Sequence, residues 1–395
     1  MTHTSRLKSY SNILRDNVPT IILAVFFLTE FLTKFLEYYG FEYHRIGVVF
    51  KVLFVIIILL NRVLPKSMFW QLSLLCVLFV ISQVFIDYDL SFYEGVSKNV
   101  LYLSKYLFIF VVAAYFRSLK MNSAEIDHLI NVVFFLLWVN FVVILIGTLF
   151  NIGLFATYGP NRFGYNGLIH INSHSSYIYI FALIYVVYNY IKTKKYSANF
   201  WMIVLSALLI GTKTSYLFCG LVAVYLWFYY RIYKSLAFYS LAILLLFSGF
   251  IFQEKLMSLF TTHYSAFVML YNDSGIITAL ASRRNLILGE TLALAFQEYW
   301  VWINYMIGGG FFNEIRTEMA FVDLYLFWGV LGMFAYLKLY YNYVIKAFMF
   351  HPFLRYAIFS LFIACFFGGN FFTNAVIAIY IVVFANFFIL EKKKL

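Results

Sequence analysis

Apolar residues recur in runs of about twenty along the whole chain, which is the pattern of helices that span a lipid bilayer. These runs predict an all-α, polytopic integral membrane protein with about twelve transmembrane helices. Two of the predicted spans meet near residues 213–215 with almost no loop between them. The predicted spans are residues 19–39, 46–64, 68–86, 99–116, 126–150, 173–191, 200–213, 215–231, 236–253, 318–345, 354–370 and 373–390.

The composition excludes a soluble protein of this length. Of the 395 residues, 64% are hydrophobic, and the mean hydropathy is +0.86. So little of the chain is left over that we expect one integral membrane domain over residues 1–395. The three cysteines, Cys76, Cys219 and Cys365, fall inside apolar runs, so we expect neither a disulfide framework nor a metal cluster.

The polar connections between the spans alternate in charge. One set holds 17 of the 29 cations but only four acids, Asp16, Glu125, Asp127 and Glu391. By the positive-inside rule this set is cytoplasmic, which predicts that both termini lie inside. No small-residue cleavage site follows the first apolar run, so we expect an uncleaved first span rather than a signal peptide. Topology thus accounts for most of the net charge of +12, and we expect no nucleic acid partner. The cations of this set are Arg6, Lys8, Arg15, Arg62, Lys66, Arg117, Lys120, Lys192, Lys194, Lys195, Arg231, Lys234, Lys346, Arg355 and Lys392 to Lys394.

The second set of connections is predicted to be external. It contains two long segments, residues 151–172 and 254–317, and the cytoplasmic connections are too short to hold a catalytic site. We therefore expect function in these two segments or in an outward-facing cavity. Short loops with Glu42, Asp87, Asp89 and Glu94 belong to the same set.

Several cations lie on the external side, where the positive-inside rule does not expect them. They are Arg162, Lys213, Arg283 and Arg284, and an anionic substrate is the leading explanation. Ionisable residues also occur within the outer halves of spans, namely Lys51 and Lys105, together with Glu30, Lys34 and Glu37. The last three share one helix face, and we expect them to pair with each other.

The segment from Tyr158 to Ser176 is the first that could carry chemistry. Its glycines and Pro160 predict a turn-rich loop, and Arg162 can bind a phosphate or carboxylate through two hydrogen bonds. His170 and His174 are four residues apart. Either one is a candidate proton acceptor, although both could instead hydrogen-bond to hold the loop, and no third ligand for a metal lies nearby.

The second segment is Gly211-Thr-Lys213-Thr-Ser215, where one apolar run ends and the next begins. A helix that starts near Thr214 would add backbone donors for an anion beside Lys213. The alternative is that Lys213 anchors a tight hairpin at the membrane interface.

The third segment begins at Ser282-Arg283-Arg284-Asn285, which opens a predicted helix through Trp300. Gly308-Gly-Gly310 then breaks it, and a flexible turn is a better explanation than phosphate binding. Glu318 and Asp323 follow as the chain re-enters the membrane. Asp323 lies in an apolar run, so it needs a partner, for which Arg283, Arg284 and Arg316 are the candidates.

These segments resemble the bacterial O-antigen and capsule repeat-unit polymerases (Wzy-type) and the related O-antigen ligases. The hydropathy plan, many spans with one large late external (periplasmic) loop, is similar over most of the chain. The local resemblance is in Arg162-Phe-Gly with Asn172-Ser-His174, in Gly211-Thr-Lys213-Thr-Ser215, in Arg283 or Arg284 followed by Ile307-Gly-Gly-Gly-Phe311, and in Trp328-Gly-Val-Leu-Gly332. Lys213 departs from the arginine that is usual in the second motif.

The resemblance implies a GT-C-like polymerase/ligase architecture in the bacterial inner membrane. It also implies a membrane glycosyltransferase that polymerises undecaprenyl-diphosphate-linked oligosaccharide repeat units without a cofactor or metal, with a chain-length regulator protein as a further partner. Arg162, Lys213, Arg283 and Arg284 would bind the diphosphate, whose charge grows as the glycosidic bond breaks. The catalytic base would be His174, His170, Asp323 or Glu318.

Alternatives remain open at this point. An O-antigen ligase is expected to have a histidine after the glycine-rich turn, where this chain has Glu318, Met319 and Asp323, which favours the polymerase. A flippase for lipid-linked sugars would show internal repeats and interrupted spans in matching halves, and no repeat is visible. A non-catalytic scaffold would not explain the external cations.

Overall fold

The computed structural model describes residues 3–41, 49–52, 54–55, 64–86, 92–158, 162–235, 239–240, 265–310 and 316–394. These residues are helical almost throughout, with a short antiparallel bridge between Ala156 and Tyr165. The helices are α1 His3–Tyr38, α2 Lys66–Val84, α3 Phe92–Ser118, α4 Ser123–Phe150, α5 Asn172–Thr193, α6 Ala198–Leu209, α7 Lys213–Tyr229, α8 Ser265–Ala281, α9 Arg284–Leu294, α10 Asn304–Ile307, α11 Ala320–Tyr343, α12 Pro352–Phe367 and α13 Ala375–Lys393.

Within the described residues, six helices are long and apolar enough to cross a membrane: α1 from Asn17 onward, α2, α3 from Tyr93 onward, α4, α11 and α13. This confirms the prediction of an all-helical, multi-pass membrane protein. Helices also occupy the predicted spans that correspond to α5, α6, α7 and α12. Two further predicted spans, 46–64 and 236–253, and the acids Glu42, Asp87 and Asp89 lie mostly or wholly outside the described residues.

Local sequence signals set several helix starts. A capping box begins α4, because Asn122 accepts a hydrogen bond from the Glu125 amide while Glu125 accepts one from the Asn122 amide. At the start of α13, the Asn374 side chain accepts hydrogen bonds from two backbone amides. Helix α6 ends at Leu209 and α7 begins at Lys213, so the break predicted at 213–215 lies a few residues earlier.

Helix α13 forms the centre of the bundle. It packs against α3, α4 and α5 and is the most deeply buried of the six candidate spans. Beside it, aromatic rings from α3 and α11 interlock, with Tyr106 and Tyr336 in an edge-to-face contact at 5.6 Å. Both rings are fully buried, which gives this part of the bundle a rigid aromatic core.

The bundle has two ends that differ in their connections. At one end, called here the site end, α1 and α12 finish while α5, α7, α9, α11 and α13 begin. At the opposite end, α3, α5, α11 and α13 finish. There Lys192 pairs with Glu391, and Arg117 donates to the Tyr343 carbonyl at 2.9 Å.

Glycines 308–310 form a packed crossing rather than the flexible turn that the sequence favoured. Helix α11 is interrupted at Gly329, whose φ is +61°. The break frees the carbonyls of Leu326 and Phe327, which accept hydrogen bonds from the Gly310 and Gly309 amides at 2.9 and 3.1 Å. A Cβ on Gly308 would overlap the backbone at Gly329, and the reverse also holds. Only glycine permits this crossing, and it keeps irregular backbone hydrogen-bonded between helices.

Candidate functional site

Two loops are joined by glycine contacts at the site end. The Tyr165 amide donates to the Leu209 carbonyl at 2.9 Å, and the Thr157 hydroxyl donates to the Ile210 carbonyl at 2.8 Å. A Cβ on Gly211 would lie only 2.6 Å from the Gly164 Cα, and Gly211 has a φ of +74°. The loops can approach this closely because both residues lack a side chain. This junction places Arg162 and Lys213 at the same end of the bundle.

Arg162 and Lys213 then face a common space. The Arg162 guanidinium lies over the Tyr158 ring at 3.8 Å. The Lys213 ammonium donates to the Ala279 carbonyl and to the Ser282 hydroxyl, the latter at 2.7 Å. Lys213 is also within electrostatic reach of Arg162. Its contacts are to neutral groups, so its charge is held in place without being neutralised.

Arg284 supplies a third cation from the start of α9. Its NH1 atom donates to the Phe367 carbonyl at 2.7 Å, and its NH2 atom lies 3.4 Å from a Glu318 carboxylate oxygen. The neighbouring Arg283 has a left-handed backbone, is exposed and does not line the cavity. Of the two adjacent arginines, only Arg284 is therefore directed into the site.

These residues line one cavity of about 490 Å³. Three helix starts open onto it: Asn172 and Ser173 of α5, Lys213 of α7 and Arg284 of α9. The first amides of a helix have no partner within that helix, and they carry partial positive charge. Three cationic side chains and three helix N-termini thus converge on one space, which is the arrangement expected for an anionic group.

Helix α7 is held at the cavity by its cap. Thr212 caps the helix through the Ser215 amide and lies 2.6 Å from the Ser176 hydroxyl of α5. The sequence predicted a helix N-terminus near Thr214, and the structure confirms it at Lys213. The hydroxyl pair ties the starts of α5 and α7 together.

Two histidine–glutamate pairs connect α1 to the start of α5. His170 Nε2 contacts Glu37, and His174 Nδ1 lies 2.6 Å from Glu30. The His174 pair is buried, with side chains 8% and 10% exposed, whereas those of His170 and Glu37 are 23% and 54% exposed. Only the pair of His170 and Glu37 lines the 490 Å³ cavity, so His170 is the histidine placed beside the cations.

The expectation that Glu30, Lys34 and Glu37 pair with each other was wrong. Lys34 instead donates to the Asn166 side chain and to the Gly167 carbonyl, the latter at 2.7 Å. Helical spacing correctly put the three residues on one face. The loop before α5 and the first turn of α5 contact that face, however, and provide His170, His174 and Asn166 as partners in place of residues on the same helix.

Asp323 is held inside the protein and does not line the cavity. One of its carboxylate oxygens accepts hydrogen bonds from the Thr317 amide and hydroxyl at 2.7 and 2.8 Å. The other lies 3.7 Å from Arg316, which is one of the three partners that the sequence offered. These contacts organise the start of α11. Glu318, by contrast, lines the cavity and pairs with Arg284.

A second cavity of about 470 Å³ adjoins the first. The two share Ile171 and Asn370 in their walls, and the second is lined by Lys51, Lys105, Arg316 and His174. The cations that the sequence placed inside spans thus face a cavity rather than lipid, as expected for ionisable residues at membrane depth.

Two buried polar atoms of residues that line the first cavity, the Ser173 hydroxyl and the Arg284 Nε atom, form no hydrogen bond with the described part of the chain. Burial raises the pKa of the Tyr158 phenol, although the charges of Arg162 and Arg284 oppose that shift. Tyr158 therefore stays protonated at neutral pH and can donate a hydrogen bond to an anion.

Sequence reasoning missed several residues of this cavity. Glu37 was assigned to a helix-face pair, and Tyr158, Thr212 and Ser176 were not proposed to contact substrate. The seven-residue spacing of Glu30 and Glu37 was a usable signal, because it is about two turns of α1 and puts both carboxylates on one face of that helix. Within the described residues, no group of three histidine, cysteine or acidic side chains is placed to hold a metal ion.

Comparison with protein-family models, with curated proteins and with solved structures gave no match. Functional inference therefore depends on the geometry of the cavity and on the motifs that line it.

Proposed function

We propose that the protein polymerises undecaprenyl-diphosphate-linked oligosaccharide repeat units into O-antigen or capsular polysaccharide. The observation that supports this proposal most is the convergence of Arg162, Lys213 and Arg284 on one cavity with three helix N-termini. These are motif residues of the resemblance, drawn from three separate parts of the chain. A lipid-linked diphosphate carries the concentrated negative charge that such a cavity suits.

In the proposed reaction, a sugar hydroxyl of one repeat unit attacks the anomeric carbon of the chain on the other lipid. The new oxygen–carbon bond forms as the bond between that carbon and the diphosphate oxygen breaks, and the electron pair leaves with undecaprenyl diphosphate. The three cations stabilise the charge that develops on this leaving group. Each is expected to contribute about 10²–10³ in rate.

His170 is the proposed base. It lies at the cavity wall with Glu37 on its Nε2 atom, and a carboxylate in this position orients the ring and stabilises the imidazolium that forms when His170 takes the hydroxyl proton. Glu318 is a weaker choice because it pairs with Arg284. Asp323 and His174 are engaged outside this cavity.

The proposal includes a topology and a location. The protein is proposed to have about twelve spans in a GT-C-like arrangement. Both termini would lie in the cytoplasm, and the site end would lie on the outer side of a bacterial inner membrane. The cation-rich connections at the opposite end agree with this orientation. A chain-length regulator remains a proposed partner.

The proposal is tested with a gel of surface polysaccharide from a deletion strain. Loss of long chains, with single repeat units still attached to lipid A core, is the expected result for a polymerase. Loss of all repeat units would indicate a ligase or flippase instead. The side on which the lipid-linked unit accumulates separates these alternatives, because a missing flippase leaves it in the cytoplasmic leaflet.

A further inference from the structure

A basic groove lies at the opposite end of the bundle, far along the helices from the candidate site. It has a volume of about 820 Å³ and is lined by Arg117, Lys120, Lys346, Lys392 and Lys393. Among the described residues that line it, none is acidic. Its cations come from the end of α3, the turn after it, the turn after α11 and the end of α13, so distant parts of the sequence contribute to one concave surface.

Two of the acids nearest in sequence are engaged with other groups, and a third, Asp127, is exposed and does not line the groove. Glu391 is buried and pairs with Lys192 and Lys394, neither of which lines the groove. Glu125 is used in the capping box of α4. The charge of the groove is therefore not neutralised by these two carboxylates.

Arg117 is held in a fixed position within this groove. Its NH2 atom donates to the Tyr343 and Asn342 carbonyls at 2.9 and 3.4 Å, and its guanidinium lies 4.8 Å from the Tyr343 ring centre. Carbonyls and a ring leave the positive charge in place. The other four cations are exposed, and flexible lysines around one fixed arginine can adapt to a charged headgroup.

The groove also has apolar walls. Ile126, Ile389 and Leu390 line it beside the cations. It is bounded by ends of α3, α4, α11 and α13, all four of which are candidate membrane spans. Cations next to apolar surface, at the ends of candidate spans, match the charged headgroup and the apolar chains of a phospholipid.

The positive-inside rule alone accounts for cations at this end. It does not account for their gathering around a cavity with apolar walls, since a cation that only sets topology can extend freely into water. Lys194, Lys195 and Lys234 are exposed cations at the same end that do not line the groove, so a position at this end does not by itself bring a lysine to it.

We propose that this groove is a binding site for an anionic phospholipid of the surrounding leaflet. The site is independent of the proposed polymerase activity, because it shares no residue with the cavity at the site end. A bound lipid would contact the ends of α3, α4, α11 and α13 and would stabilise their packing at this end of the bundle.

The test uses native mass spectrometry of the purified full-length protein, titrated with phosphatidylglycerol and, separately, with zwitterionic phosphatidylethanolamine. We expect preferential retention of phosphatidylglycerol. Each removed cation should weaken retention roughly 5-fold, so the triple variant R117Q/K120Q/K346Q should bind about 100-fold more weakly. The matched control K194Q/K195Q/K234Q loses the same charge outside the groove and should stay within about 3-fold of the unmodified protein.

Three results would overturn the proposal: equal retention of both lipids, equal losses in the two triple variants, or displacement of phosphatidylglycerol by the same concentration of glycerol 1-phosphate. The last would indicate a soluble phosphate ligand. Size-exclusion chromatography and helical circular dichroism establish that each variant is folded. If the R117Q triple variant does not fold, K392Q/K393Q decides the question, because it changes exposed residues in the last turn of α13 and should lower retention roughly 30-fold.

Discussion

The two ends of the bundle are both rich in cations, but they hold them differently. At the site end, Arg162, Lys213 and Arg284 are each fixed by a ring, a carbonyl or a carboxylate around one cavity. At the opposite end, most cations are exposed lysines with few fixed contacts. The number of cations therefore says little about chemistry. Fixed cations that surround a cavity are suited to a transition state, because they need no rearrangement as charge develops.

The largest effect that would test this contrast is the loss of a fixed cation. Arg162→Ala, Lys213→Ala and Arg284→Ala should each lower polymer formation about 10²–10³-fold, because in the proposed reaction each removes a donor to the departing diphosphate. The measurement is a polysaccharide ladder, with membrane protein level determined by immunoblot. Normal ladders from all three variants would refute the site.

The next effect separates the two histidine–glutamate pairs. His170→Gln should slow the reaction about 10²-fold or more while the melting temperature changes little, because it removes a proton acceptor at a partly exposed position. His174→Gln should destabilise the fold by about 3 kcal/mol, because it leaves the buried Glu30 carboxylate without the hydrogen-bond partner that His174 provides. The two readouts are turnover of a lipid-linked substrate and thermal unfolding in detergent. If the two variants shift both readouts alike, the assignment of one reactive and one structural pair is wrong.

A smaller effect concerns the junction that positions the cations. Gly211→Ala should cost about 1–3 kcal/mol, because its φ of +74° disfavours a side chain and the new Cβ would overlap the Gly164 loop. The matched control is Gly220→Ala in α7, where a Cβ meets no atom within 4 Å and helix propensity improves. Thermal unfolding of both variants measures the difference. Equal melting temperatures would show that the two loops tolerate separation.

The smallest effect compares adjacent arginines. Arg283→Ala should lower polymer formation less than about 2-fold, because the side chain is exposed and does not line the cavity. Arg284→Ala, one residue away, provides the contrast on the same gel. An equal loss from both would mean that charge in this segment, rather than the position of a single arginine, determines binding.

Much of the fold could be predicted from the sequence, because span-length apolar runs leave few alternatives in a bilayer. Asp323 also found one of its three expected partners, Arg316. The crossing at Gly308 and Gly329 could not be predicted, since it depends on two glycines 21 positions apart meeting in space. The hydropathy pattern predicts which residues are removed from water, but it does not predict which backbone segments come into contact.

The candidate site was less predictable than the fold. Arg162, Lys213, Arg284, His170 and Glu318 were singled out from the sequence and line one cavity. His174, Asp323 and Arg283 were singled out by the same reasoning and do not. Residue type and loop location cannot separate these groups, because burial and the nearest partner differ between neighbours such as Arg283 and Arg284. Only the folded arrangement resolves that difference.

The interruption at Gly329 divides α11 into two helical segments. The hydrogen bonds next to this interruption are donated by Gly309 and Gly310, so a segment outside the helix helps to set the angle between the two helical segments. The first segment, from Ala320 to Gly329, is roughly 14 Å long, and Glu318 at the cavity lies just before its start. We therefore expect a substitution at this crossing to shift Glu318, even though the glycines of the crossing do not line the cavity.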